Sequence, residues 1–243
     1  MARIEGGNEV AVGSERALEV ADDGARVLFG IGPASATSDP VDRADRLLAS
    51  LAPAVTALRW CRQVHEAAVV SITGEAATAA DCVGDCDGLV SSETGIALLV
   101  WTADCVPVVV VGRRFVAAVH VGWRGAARGI LPTTLDRCRD LFHETAEGYK
   151  AYLGPAISGH RYPVGREVIA ALDGQHVARE VWLADDRVDL RSFAAAQLES
   201  LGVGRVGVVG GCTASDPRLA SYRRDGAAAG RQWSLVHRHR ITA

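Results

Sequence analysis

Residues 95–122 read GIALLVWTADCVPVVVVGRRFVAAVHVG, and the fold class turns on them. The stretch holds three apolar runs: GIALLVWTA (95–103), VPVVVV (106–111) and RFVAAVHVG (114–122). A strand with one face in water alternates apolar and polar residues. These runs do not alternate, which predicts strands covered on both faces. Asp104 and Pro107 interrupt the apolar stretch, so no membrane-spanning helix is expected where a span needs about 20 predominantly apolar residues.

The flanking sequence supplies the covering layers. Upstream, ALEVAD (17–22) and ARVLFGIG (25–32) read as strands, PVDRADRLLASLA (40–52) as a helix, and VTALRWCRQVH (55–65) and AAVVSIT (67–73) as extended segments. Asp81–Ser92 reads as a loop entering a strand. Downstream, helical spacing predicts helices in 130–146, 164–174 and 189–203, with Gly174 and Gly202 as stops. YKAYLGPAIS (149–158) and RVGVVGGC (205–212) read as strands, and HRHR (237–240) as a basic tail. No internal repeat or linker separates these elements, so residues 1–243 are expected to form one α/β domain.

Composition narrows the class. The chain of 243 residues is 49% apolar, enough for a sizeable core. Net charge is -3, which does not suggest a nucleic-acid or polybasic membrane binder. The N-terminus lacks an apolar signal core and carries Glu5 and Glu9, so a cytoplasmic location is expected. The six cysteines are then expected to be reduced. Lys150 is the only lysine, and a Schiff-base mechanism would rest on it alone. No feature specifies an oligomeric state.

Three segments end in side chains suited to a borderline metal: RQVH with His65, TADC with Cys105 and AVHVGWRG with His120. Two histidines and a cysteine suit zinc and leave a fourth tetrahedral position open, as catalytic zinc sites do. There is no CxxC pair and no HExxH helix, so these ligands can meet only through tertiary folding. Asp104, beside Cys105, is a candidate acceptor orienting a ligand histidine. Arg124 sits between Gly122 and Gly125 at an expected helix start, where N–H groups and the dipole favour an anion. Arg223 and Arg224 in SYRRDG are further anion-binding candidates. Tyr222 is a candidate to stack on a base or simply to pack, and the aromatic count is too low to argue for a stacking platform. Cys82 and Cys86 read as loop thiols, Cys61, Cys138 and Cys212 as small buried residues, His143 and His176 as surface residues, and His160 as a pocket candidate.

The ordered set WCRQVH, DCDGLVSS…ALLVWTADCVPVVVV, AAVHVGWRGAARGI, LGPAISGHRYPVG and CTASDPRLASYRRDGAAAGRQ resembles the purine nucleoside phosphorylase family formerly called multicopper polyphenol oxidase, or laccase-domain, proteins. Some bacterial members of that family are called peptidoglycan editing factors. The resemblance runs from about Trp60 to Gln232. It implies an α/β fold of layered mixed β-sheets flanked by helices, and a zinc held by His65, Cys105 and His120. It also implies purine nucleosides and phosphate as substrates, with adenosine deamination and methylthioadenosine phosphorolysis as further activities. Cys105, His120, Arg124 and Asp104 are then the catalytic candidates, and Arg223, Arg224, Tyr222 and Gln63 the substrate-binding ones. The chain departs from the family upstream: a TR-GG-S loop and an NLG segment usual there are missing from VLFGIGPASATSDPVDRADRL.

Three other functions stand beside this one. A copper polyphenol oxidase would need repeated His-x-His pairs, and the chain has one, His237 and His239. A cysteine hydrolase would use Cys105 as nucleophile and His120 as base. A cell-wall editing protein with a degenerate pocket is compatible with the shortened upstream segment.

Overall fold

The computed structural model describes residues 3–4, 7–32, 39–74 and 79–239. Of the segment 27–47 in which the chain departs from the family pattern, residues 33–38 lie outside the described residues. The chain opens with β1 (Arg3–Ile4), β2 (Asn8–Val12), β3 (Glu15–Ala21) and β4 (Ala25–Ile31), then α1 (Pro40–Leu51). Next come β5 (Ala57–Arg62), β6 (Val69–Ile72), β7 (Ala80–Asp85), β8 (Gly88–Ser91), β9 (Ile96–Thr102), β10 (Val106–Val111) and β11 (Val116–Val121). A short α2 (Trp123–Ala127) precedes α3 (Ile130–Phe142), β12 (Lys150–Leu153), α4 (Arg166–Asp173) and α5 (Arg179–Trp182). A small hairpin, β13 (Leu183–Ala184) and β14 (Arg187–Val188), leads to α6 (Leu190–Ser200), β15 (Arg205–Val208), α7 (Tyr222–Asp225) and β16 (Gln232–Arg238).

Two mixed seven-stranded sheets result, in the orders β1-β15-β12-β10-β11-β8-β6 and β2-β3-β4-β16-β9-β5-β7. The apolar runs explain the layering. Val106, Val108 and Val110 of β10 and Ala117, Val119 and Val121 of β11 pack under Leu131, Leu172, Phe193 and Leu198 of α3, α4 and α6. The alternate residues, Val109, Val111, Val116 and Ala118, meet Val27, Phe29, Leu98, Val100 and Val236 of the other sheet. The outer face of that sheet, with Leu99, Trp101 and Leu235, is covered by Ala44, Leu47 and Leu51 of α1. The order is helices, sheet, sheet, helix, so β9, β10 and β11 are buried on both faces, as their composition requires.

Four local readings are corrected. Asp81–Asp85 is not loop but part of edge strand β7, paired parallel to β5; its polar, exposed pattern is what an edge tolerates. Cys86 is fully buried and lies beside Cys61 in the core, while Cys82 is the exposed thiol. His237 and Arg238 belong not to a tail but to β16, a central strand hydrogen-bonded to both β4 and β9; the charges on HRHR masked the apolar WSLV before it. The helix after Gly129 is preceded by the separate α2, and the α5–β14 segment has elements of its own.

Candidate metal centre

Two connections cross from one sheet to the other at the same end of the layer between them, and both carry a non-glycine residue at positive φ. Residues 63–68 join β5 to β6, with His65 at φ 60, and residues 103–105 join β9 to β10, with Asp104 at φ 84. Such conformations persist only where surroundings hold them, and both are held by carboxylates. The buried Asp87, just before β8, accepts the backbone N–H groups of Val64 (3.2 Å), His65 (3.0 Å) and Glu66 (2.8 Å). Asp104 accepts the Thr213 hydroxyl and the Arg223 N–H, each at 2.6 Å.

His120 is the penultimate residue of β11, directly across from Asp87. It donates its backbone N–H to the Asp87 carbonyl at 2.7 Å and its ring Nδ1–H to Asp87 Oδ1 at 2.7 Å. Nε2 is thereby left facing the site. The orienting carboxylate is therefore Asp87 and not Asp104, which the sequence had placed in that role; Asp104 instead fixes the turn that delivers Cys105. Asp87 lies in the DCDGLVSS motif, and its signal was an acid immediately before a buried strand.

The potential ligand atoms of His65, Cys105 and His120 lie within 4.8 Å of one another. His65 and His120 meet edge to face at 4.8 Å between ring centroids. Among the described residues this is the one group of three His, Cys, Asp or Glu side chains that converges in this way. Its chemistry fits a zinc ion: two imidazoles and a thiol, packed against glycine backbone that has no side chain to fill the space. A Cβ on Gly122 would come to 2.9 Å from His65 Cδ2 and 3.2 Å from Cys105 Sγ. A Cβ on Gly125 would reach 2.9 Å from the Glu66 carbonyl. The two glycines of GWRG thus allow the His65 segment to approach α2. Tetrahedral bond lengths imply ligand atoms about 3.5 Å apart, so binding would draw the three together slightly.

The electrostatics favour the ligand form of the thiol. Burial opposes a Cys105 thiolate, but His120 and His65 outweigh it and bring its pKa down to about 6. Burial likewise opposes a charged His120, yet Cys105 and Asp87 push it up to about 9. Despite its burial, Asp87 is held below the usual carboxylate range by His120 and the N–H groups it accepts.

The three ligands open onto a cleft of about 790 Å³. Three of the chain's five tryptophans (Trp60, Trp101, Trp123) and two of its four tyrosines (Tyr162, Tyr222) line it. The aromatic count alone was too low to argue for a stacking platform, because composition says nothing about clustering. Arg124 stacks on Trp123 at 4.3 Å and Arg223 on Tyr162 at 4.9 Å, both on the cleft wall. Stacking occupies the guanidinium face; Arg223 also donates from Nη1 to the Pro163 carbonyl at 3.1 Å, so Arg124 and the remaining N–H groups of Arg223 are what the cleft offers an anion.

Other candidates are spent elsewhere. Arg224 binds the carbonyls of Thr213, Asp216 and Leu219 and the Asp225 carboxylate, and it does not line the cleft. Gln63 lines the cleft, but its amide is committed at both ends to the Trp101 backbone, at 2.6 and 2.8 Å. Tyr222 is exposed on the wall. His160 bonds Ser158 and is not part of the lining.

Residues 36–239 match the family described as multi-copper polyphenol oxidoreductase laccase. The chain belongs to this family. Among its relatives is a purine nucleoside phosphorylase of Mycobacterium tuberculosis, 40% identical over 197 residues, 79% of this chain and 76% of the relative. One of Corynebacterium glutamicum is 35% identical over 183 residues, 73% and 72% of the two chains. Of solved structures, YlmD from Geobacillus stearothermophilus superposes with a TM-score of 0.77 at 26% identity, covering 90% and 93% of the two chains. A Neisseria meningitidis protein gives 0.76 at 27%, covering 92% and 99%. The layered α/β architecture is thus shared.

Proposed function

We propose that this protein is a zinc-dependent purine nucleoside phosphorylase. The observation that carries the reading is one cleft with a His65–Cys105–His120 cluster, stacked arginines and five aromatic side chains, in a chain whose relatives bear that name. His65, Cys105 and His120 would hold the ion, with Asp87 fixing the His120 tautomer. Zinc in such a site supplies Lewis-acid charge stabilisation.

The chain's own groups account for the rest. In phosphorolysis a phosphate oxygen bonds to C1′ as the C1′–N9 bond breaks, and the purine leaves with the electron pair and takes up a proton. Arg124 would present a guanidinium edge to two phosphate oxygens, and Arg223 the N–H groups not bonded to the Pro163 carbonyl. Trp60, Trp101 and Trp123 offer apolar surface for the nucleoside and exclude water, which strengthens those charge contacts. Adenosine deamination and methylthioadenosine cleavage are finer expectations for the same cleft.

The test is incubation of zinc-loaded protein with inosine and with adenosine, with and without phosphate, and identification of the products. Phosphate-dependent release of free base supports the reading; no turnover of any purine nucleoside refutes it. Arg124→Ala and Arg223→Ala should raise the phosphate requirement strongly while affecting deamination less, since water needs no anion cradle.

The lowered Cys105 and raised His120 favour a second reading, a cysteine hydrolase. Alkylation separates the two: zinc protects a ligand thiolate, whereas a free nucleophile reacts whether or not zinc is present. A multi-copper oxidase is less well supported. Its second copper would need further ligands, and His237 of the one His-x-His pair is buried in β16.

A further inference from the structure

Buried polar atoms without partners are rare in native interiors, and among the described residues most of them belong to residues that line the cleft or stand directly beside its lining. Trp60 Nε1, Trp101 Nε1 and Thr102 Oγ1 have no hydrogen-bond partner, and all three residues line the cleft. Gln232 adds both Oε1 and Nε2. It stands directly opposite Thr102 in the antiparallel β16–β9 pair and follows Arg231 of the cleft wall. Gln232 and Thr102 are 3% and 2% exposed. Facing side chains in such a pair have Cβ atoms about 4.5–5.5 Å apart, close enough for amide and hydroxyl to bond each other, yet both are left unpaired.

We propose that Gln232, assisted by Thr102, is the hydrogen-bonding subsite for the purine base, an inference that rests on the phosphorylase reading. A 6-aminopurine presents a donor beside an acceptor; a 6-oxopurine presents the same pair in swapped order. A carboxamide carries one acceptor and one donor. With neither end fixed by the protein, it turns over to match either base. Gln63 cannot do this, because the Trp101 backbone fixes both of its ends. The Gln232 amide is sealed beneath the wall, so pairing takes a rotation of its side-chain torsions past Thr102. The β16 backbone need not move, being held by β4 and β9. The cleft then accepts 6-amino and 6-oxo nucleosides alike, and the base repairs a polar defect in the free protein.

The test uses Gln232→Met, unbranched and of similar volume, and Thr102→Val, each in the full chain. Melting temperature is measured without nucleoside, hypoxanthine and adenine binding by calorimetry, and kcat/KM for inosine and adenosine with phosphate. Q232M should melt at or above wild type, because it removes two unpaired polar atoms. It should bind both bases about 10- to 100-fold more weakly, with matching losses in kcat/KM. T102V should lose several-fold. Base affinity within twofold of wild type in Q232M overturns the proposal. If Q232M melts well below wild type, T102V decides, and unchanged base affinity there overturns it. A wild type that cleaves no purine nucleoside defeats the phosphorylase reading and this inference together; equal cleavage by wild type and Q232M defeats this inference alone.

Discussion

Asp87→Asn is the sharpest test of how the metal centre is held. In the native protein Oδ1 accepts from His65 N–H and His120 Nδ1–H, and Oδ2 from Val64 N–H and Glu66 N–H. An asparagine amide has one oxygen. Whichever way it is placed, its NH2 faces two donors, so two bonds to a carboxylate are lost in a site closed to water. Each is worth about 1.5–3 kcal/mol, giving a loss of about 3–6 kcal/mol. For a chain of this size, where each kcal/mol shifts the melting temperature by about 2–4 °C, that lowers it by about 6–24 °C. The His65 turn loses its anchor and His120 its fixed tautomer, so zinc affinity should fall about 10- to 100-fold. Circular-dichroism melting and zinc competition against a chromophoric chelator read the two effects separately. A D87N protein that melts within a degree of wild type and binds zinc with wild-type affinity would show that Asp87 does not organise the site.

Gly122→Ala places a methyl group against His65 and Cys105; zinc titration should find stoichiometric binding lost, while melting shows a folded protein destabilised by about 1–3 kcal/mol. Cys105→Ala should abolish nucleoside cleavage and leave the circular-dichroism spectrum unchanged; unfolding of the variant with or without zinc would make Cys105 a packing residue. Asp22, its side chain 1% exposed, is paired with Lys150 at 3.1 Å and Tyr152 at 2.7 Å. Although burial opposes its charge, Tyr152, Gly24 and Lys150 hold its pKa below the ordinary 3.8. Its contribution to stability is therefore complete above that value and lost as pH falls through the depressed folded value. Urea unfolding between pH 6 and 2.5 should show a loss that Asp22→Asn flattens; identical pH profiles would remove Asp22 from the acid response.

The family motifs pointed to the His65, Cys105 and His120 cluster but left its neighbours partly misassigned, and the reason is physical. His65, Cys105, His120, Arg124 and Arg223 reach one cleft as expected. Arg224 stands next to Arg223 yet is turned away to bind carbonyls, because consecutive residues in a helical turn point in different directions. Gln63 and Gln232 are the same residue type, and only their surroundings show which amide is already committed. Asp87 and Asp104 are both acids beside buried strands, and either could have oriented a histidine.

The sequence by itself determined the double-sided burial of β9, β10 and β11, because apolar side chains on both faces of a strand exclude water from both. It also determined most helices, through period and stop residues, and the ligand types, through their chemistry. The tertiary structure decided what depends on chain segments distant in sequence. It set β16 at the centre of a sheet, placed Asp87 opposite His120 through the β8–β11 register, and concentrated scarce aromatic residues around one cleft. Those outcomes follow from which strands pair and in what register, and no local pattern in the chain encodes a partner 33 or 130 residues away.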